Sequence, residues 1–166
     1  MIKPTLQVHS IDEIGPELLK LHGIRGVMVD LDDTLVAAQA EQIEPRFKAW
    51  LQAVKEAGFA VMLLSNGSPE RVRRWSQELG LDALALVGKP WPWAFRKGLR
   101  RLGTGPRQTV MIGDQLFTDV LGANWVGIMS ILVAPLSAGA LPHTRALRNL
   151  EGLILGDAHG RSTHRR

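Results

Sequence analysis

Residues 27–36 read VMVDLDDTLV, an apolar run of the kind that lies inside a sheet, ending in three carboxylates within four positions. Bringing Asp30, Asp32 and Asp33 this close costs electrostatic free energy unless a cation sits among them, because like charges a few Å apart disfavour joint ionisation. A metal ion is the natural candidate. Asp30 and Asp32 are two apart, so if the extended backbone persists through them their side chains point to the same side.

Working outward, short β-rich runs at 59–64, 84–87, 109–112 and 130–133 follow a first strand at 27–32, and stretches of helical period separate them. Phe47, Trp50, Leu51 and Val54 fall at i, i+3, i+4 and i+7, with Pro45 at the start and Gly58 past the end. A second helix takes Ser68 as N-cap, Pro69 in its first turn, Val72, Trp75 and Leu79 on one face and Gly80 as its stop. A third runs from about 92 to 102 and stops at Gly103, a shorter one covers 118–124, and a terminal one is expected at 144–155. Alternation of this kind implies right-handed βαβ units. The expected fold is α/β, a Rossmann-like three-layer sandwich with a central parallel sheet of about five strands.

Such sheets bind ligands at the carboxyl ends of their strands. Here the first strand delivers Asp30 to Thr34, the second Ser65 and Asn66, the third leads to Lys89, and the fourth ends on Gly113, Asp114 and Gln115. Asp30, Asp32 and Asp114 form a hard oxygen site suited to Mg²⁺. A carboxylate can also attack phosphorus and form an aspartyl-phosphate, while a neighbouring carboxyl serves as acid and then base. Ser65, Asn66 and Lys89 are the candidates for holding phosphate, helped by the helix that starts near Ser68. Asn66, Gln115 and Thr34 also suit loop scaffolding. Alone, D-x-D-x-T is a weak signal; its place on an apolar strand, with three further polar strand ends in order, gives it weight.

These four strand ends, DLDDTL, SN, KP and GDQLFTD, resemble the four motifs of the haloacid dehalogenase-like (HAD) phosphohydrolases. KPxxxxF, IGDQLFTDVLGAN and the opening IKPTLQVHSIDEI resemble more narrowly the YqeG-type branch, subclass IIIA, which includes phosphatidylglycerophosphate phosphatases. The resemblance implies Asp30 as nucleophile, Asp32 as acid/base and backbone metal ligand, Ser65 as phosphate binder, Lys89 as the motif lysine and Asp114 as metal ligand. Asp119 matches the second acid of the last motif, a second-shell or water-mediated ligand. Asp33 stands where this branch often has asparagine, and Ala123 where it often has a second glycine. Related enzymes often carry a cap after the first or third strand, and neither gap here has room for one. The expectation is one capless domain over 1–158 and a flexible basic tail at 159–166.

Composition narrows the rest. The chain has no cysteine, which excludes disulfides and thiolate chemistry and fits a reducing cytosol. No window reaches the roughly 18 apolar residues of a membrane span. The net charge of +4 is concentrated in Arg71, Arg73 and Arg74 and in Arg96, Lys97, Arg100, Arg101 and Arg107. These read as solvated helix faces or as a surface drawn to anionic lipid. Trp91 and Trp93 either staple the third helix or rest at a headgroup boundary.

The expected protein is a cytoplasmic phosphomonoester hydrolase, peripheral at an anionic membrane, acting on phosphatidylglycerophosphate. The alternatives are a soluble sugar phosphate or nucleotide as substrate, and a non-catalytic assembly factor on the same fold. No nucleic-acid partner is expected. A response-regulator receiver domain shares the chemistry, but there the phosphorylated aspartate ends a later strand than the acidic pair, and neither the second nor the third strand here ends in aspartate.

Overall fold

The chain alternates strand and helix from its first residues. In the computed structural model, which describes residues 2–137, the elements are β1 (Leu6–Val8), α1 (Pro16–Leu21), β2 (Gly26–Val29), α2 (Pro45–Glu56), β3 (Ala60–Leu64) and α3 (Pro69–Leu79), then β4 (Asp82–Leu84), α4 (Pro92–Leu102), β5 (Thr109–Gly113), α5 (Leu121–Val126) and β6 (Met129–Val133). The expected helix at 144–155 and the basic tail lie outside the described residues. Among those residues no helix is long and apolar enough to cross a membrane.

All six strands run parallel in the order β1-β6-β5-β2-β3-β4. One strand more than expected is present, because Leu6–Val8 adds to the edge beside Ile131–Val133. Period-two alternation divides the strand residues between two cores. Val27, Val29, Leu63, Val110, Ile112 and Ile131 face one side, where Phe47, Trp50, Leu51 and Val54 of α2 and Val72, Trp75 and Leu79 of α3 cover them. Met28, Met62, Leu64, Leu84 and Met111 face the other, under Ala94, Phe95 and Leu99 of α4 and Ala123 of α5. The three-layer α/β sandwich is therefore the observed architecture.

Local stop signals set the helix bounds. The Ser68 hydroxyl accepts from the Arg71 N–H, Pro69 opens α3, and Gly80 leaves it in the left-handed region at φ 63°. Gly103 ends α4 in the same way. The expected helix at 118–124 divides into a five-residue π turn, Leu116–Val120, followed by α5.

The sheet order reverses at β2, which pairs with β3 on one side and β5 on the other. From β2 the chain winds outward through β3 and β4, then returns to the opposite flank as β5 and β6. The crevice at such a reversal opens above the carboxyl ends of the two central strands. Asp30 follows β2 and Asp114 follows β5.

Candidate active site

β2 is shorter than the sequence predicts and closes at Val29, although the Asp30 N–H still donates to the Ile112 carbonyl at 2.9 Å. Beyond it the backbone folds back: the Asp33 N–H donates to the Val36 carbonyl at 2.7 Å, and Asp33 adopts φ 63°. Asp30 and Asp32 consequently enter different surroundings. Asp30 is buried and accepts a 2.9 Å bond from the Lys89 ammonium. Asp32 has a side chain 39% exposed and accepts a 2.8 Å bond from Arg71 Nε. The Asp33 carboxylate accepts from the Ala38 N–H at 3.0 Å and so pins the loop that leaves the site.

Lys89 is the hub. Its Nζ also donates to Asp119 at 2.7 Å, so two buried carboxylates share one buried ammonium. Burial alone would lower the Lys89 pKa, but Asp119 and Asp30 outweigh it and hold the ammonium above the ordinary lysine range. Burial pushes the Asp119 carboxyl up to about 7, and Asp30 pushes the same way against the pull of Lys89. The raised Lys89 reports the two carboxylates around it, whereas the raised Asp119 reports first its burial. Asp114, buried beside them, accepts from the Thr34 hydroxyl at 3.3 Å. Asp30, Asp114 and Asp119 each bring a carboxylate oxygen within 4.8 Å of the others.

The segments that follow β3 and β4 complete the site. Ser65 is buried, with its hydroxyl accepting from the Gly67 N–H at 3.0 Å. A Cβ placed on Gly67 would lie 3.1 Å from Ser65 Oγ and 3.4 Å from Asp32 Oδ2, so the hydroxyl and the second carboxylate flank the same small residue. Asn66 clasps the Lys89 backbone through its side chain: the amide donates to the Lys89 carbonyl at 3.1 Å and accepts from the Lys89 N–H at 2.8 Å. Gln115 and Asp119 are tied by a 3.0 Å backbone bond, and Thr118 donates to the Gln115 side chain.

All seven residues singled out from the sequence, Asp30, Asp32, Ser65, Asn66, Lys89, Asp114 and Asp119, thus lie at one end of the sheet. Arg71 was missed. It occupies the first turn of α3, where the helix dipole disfavours a cation. That mismatch is the signal that could have found it, since a partner across the site is needed to hold it there.

Compared with known proteins, residues 8–127 match the model of the haloacid dehalogenase-like hydrolases. The chain is 38% identical over 148 residues to "Probable phosphatase YqeG" of Bacillus subtilis, covering 89% of this chain and 86% of that protein. It is 26% identical over 164 aligned positions to the phosphatidylglycerophosphate phosphatase 1 of Arabidopsis thaliana, covering 93% of this chain but 47% of the plant protein. Among solved structures, the 3-deoxy-D-manno-octulosonate 8-phosphate phosphatase of Moraxella catarrhalis superposes with a TM-score of 0.52 at 19% identity, covering 89% of this chain and 99% of that one. That structure is a complex with magnesium, phosphate and KDO.

Proposed function

The chain belongs to the haloacid dehalogenase-like hydrolases and is a phosphatase, and from there we propose that it is Mg²⁺-dependent, works through an aspartyl-phosphate on Asp30, and removes the terminal phosphate of phosphatidylglycerophosphate. The observation that carries this reading is the buried cluster at the sheet reversal, in which Asp30 touches Lys89 and lies beside Asp114 and Asp119.

The residues present fit a divalent metal. Three buried carboxylates face one ammonium, a deficit of positive charge that a hard oxygen-loving cation would offset. Asp30, Asp114 and the Asp32 backbone carbonyl would hold it, with Asp119 behind them fixing Lys89. When bound, it supplies positive charge that lets the carboxylate nucleophile and the phosphoryl oxygens approach each other.

The rest is the work of side chains. The Asp30 carboxylate attacks phosphorus, forming a carboxyl–phosphate bond as the bond to the substrate oxygen breaks, and Asp32 gives its proton to that departing oxygen. Asp32, now a carboxylate, takes a proton from water; the hydroxyl oxygen attacks phosphorus and the bond to Asp30 breaks, releasing inorganic phosphate. Lys89 offsets charge on Asp30 and the phosphoryl oxygens, while Ser65 and the amides at the start of α3 hold those oxygens. Arg71 orients Asp32.

Two features favour a phosphate carried on something large. The connections at 30–44 and 85–91 are short for a cap of domain size, which supports reading the domain as capless. The similarity to a plant enzyme named for phosphatidylglycerophosphate extends along most of this chain.

The test compares turnover of phosphatidylglycerophosphate in vesicles with glycerol phosphate, sugar phosphates and nucleotides, with Mg²⁺ and with chelator, alongside Asp30→Asn. The lipid should be preferred and chelator should abolish turnover. A preference of about tenfold or more for a soluble monoester would remove the lipid. Unchanged turnover in chelator would remove the metal, and no turnover of any monoester would leave an assembly role.

A further inference from the structure

Trp50 and Trp75 are buried, but Trp91, Trp93 and Trp125 are 51%, 60% and 52% exposed. The exposed three are not scattered. The Trp91 ring stacks on Trp93 at 5.5 Å between centroids, nearly parallel, and lies 6.1 Å from Trp125. Exposed single apolar residues need no explanation, whereas a contiguous group of the largest ones does. If the rings served only to staple α4 to the sheet, they would not leave half their surface in water.

The cluster borders the catalytic crevice. The Trp91 N–H donates to the Gly88 carbonyl at 3.0 Å, and a Cβ on Gly88 would lie 3.5 Å from Trp93 Nε1. Lys89, bonded to Asp30, is the next residue. From Trp93 a stripe continues along α4 through Arg96, Lys97 and Arg100, at i+3, i+4 and i+7, all exposed and on the face opposite buried Ala94, Phe95, Gly98 and Leu99. α4 carries no acidic residue, and none of these three cations has an ion-pair partner among the described residues. Arg71 and Arg101, by contrast, are spent on Asp32 and Asp82.

We propose that this aromatic and basic face seats at the headgroup layer of an anionic bilayer, holding the crevice over a lipid-borne phosphate. The inference rests on the lipid reading of the site. Indole has an apolar body and one polar N–H, which suits the boundary between water and hydrocarbon. Each basic residue near an anionic surface strengthens binding by about fivefold. Charge argues against other occupants. A two-fold contact between copies would set the basic stripe against itself. Residues 138–166 bring Arg145, Arg148, Arg161, Arg165 and Arg166 against Glu151 and Asp157, the same sign as the stripe.

The experiment uses the full chain and phosphatidylcholine vesicles with and without phosphatidylglycerol, read by co-sedimentation and tryptophan emission. Wild type should bind only the anionic vesicles, with a blue shift. The triple variant Trp91→Ser, Trp93→Ser, Trp125→Ser should lose about tenfold or more in binding together with the blue shift. Arg96→Gln, Lys97→Gln, Arg100→Gln should lose the salt-sensitive part. Both should keep wild-type melting and wild-type turnover of a soluble aryl phosphate.

Variants that melt and turn over normally yet bind vesicles like wild type would overturn the proposal. So would a wild type that ignores anionic vesicles, or a concentration-dependent dimer that the tryptophan variant abolishes. Hydrolysis of the lipid phosphate in detergent micelles without vesicle binding would sink the docking face alone. Vesicle binding without lipid hydrolysis would sink the substrate and leave the face.

Discussion

Asp30 and Asp32 stand two residues apart, yet one is buried against Lys89 and the other lies at the rim against Arg71. That difference suits two jobs. A nucleophile needs its charge balanced in a dry place, and an acid/base group must reach both the leaving oxygen and water. Asp30→Asn should drop turnover of every substrate to background with no phosphoenzyme trapped; a variant that still forms one would remove Asp30 from its role. Arg71→Ala should act differently. Because a positioned acid contributes about 10²–10⁴-fold, and least where the leaving group departs easily, the variant should lose about tenfold on an alkyl phosphate and little on an aryl phosphate. Arg71→Lys, which keeps a charge but not the planar fork, should recover only part. Equal losses on both substrates would mean that Arg71 merely supports the fold. Asp30, Ser65 and Asp114 were legible in the sequence because each directly follows a strand, and Lys89 because it stands shortly before α4. The pairings Asp32–Arg71 and Lys89–Asp119 were not, since they join positions 39 and 30 residues apart and only the assembled sheet brings them together.

Elements follow the same division. α3 and α4 were readable almost to the residue, because Ser68, Pro69, Gly80 and Gly103 act on their own neighbours. β1 was missed because three residues become a strand only through pairing with β6. β4 lies at Asp82–Leu84 and not at 84–87, because the chain beyond it bonds to the loop that follows β3: Val87 N–H donates to the Ser65 carbonyl and Leu86 N–H to the Gly67 carbonyl, with Leu86 at φ 47°. At the end of β5, Gly113 is required by close approach, since a Cβ there would overlap the Asp119 carboxylate. Gly113→Ala should cost about 1–3 kcal/mol by overpacking, and more than tenfold in turnover, because the carboxylate holding Lys89 is what must move. Gly98→Ala is the control: its Cβ would press on the end of the Met28 side chain, which can yield, so melting and turnover should stay close to wild type. Equal effects of the two substitutions would detach Gly113 from the site.

At the scale of the whole molecule, a chain of net charge +4 gathers the buried aspartates Asp30, Asp114 and Asp119 at the crevice where the sheet order reverses. Folding must assemble that cluster whether or not a cation is present, so the cation should appear as stability as well as activity. A ligand that binds only the folded state adds about 2.7 kcal/mol when its concentration is a hundred times its dissociation constant. For a domain of this size that is a rise of roughly 5–10 °C in the melting midpoint. Asp114→Asn distinguishes a specific site from general ionic effects, because the amide oxygen can still accept from Thr34 while one repelling charge and one ligand are gone. In chelator this variant should melt at or above wild type, and Mg²⁺ should raise its midpoint far less. A Mg²⁺-induced rise equal in the two proteins would place the ion elsewhere than at Asp114. No rise in either would leave the three buried carboxylates balanced by Lys89 alone, a harder arrangement to reconcile with their shared burial.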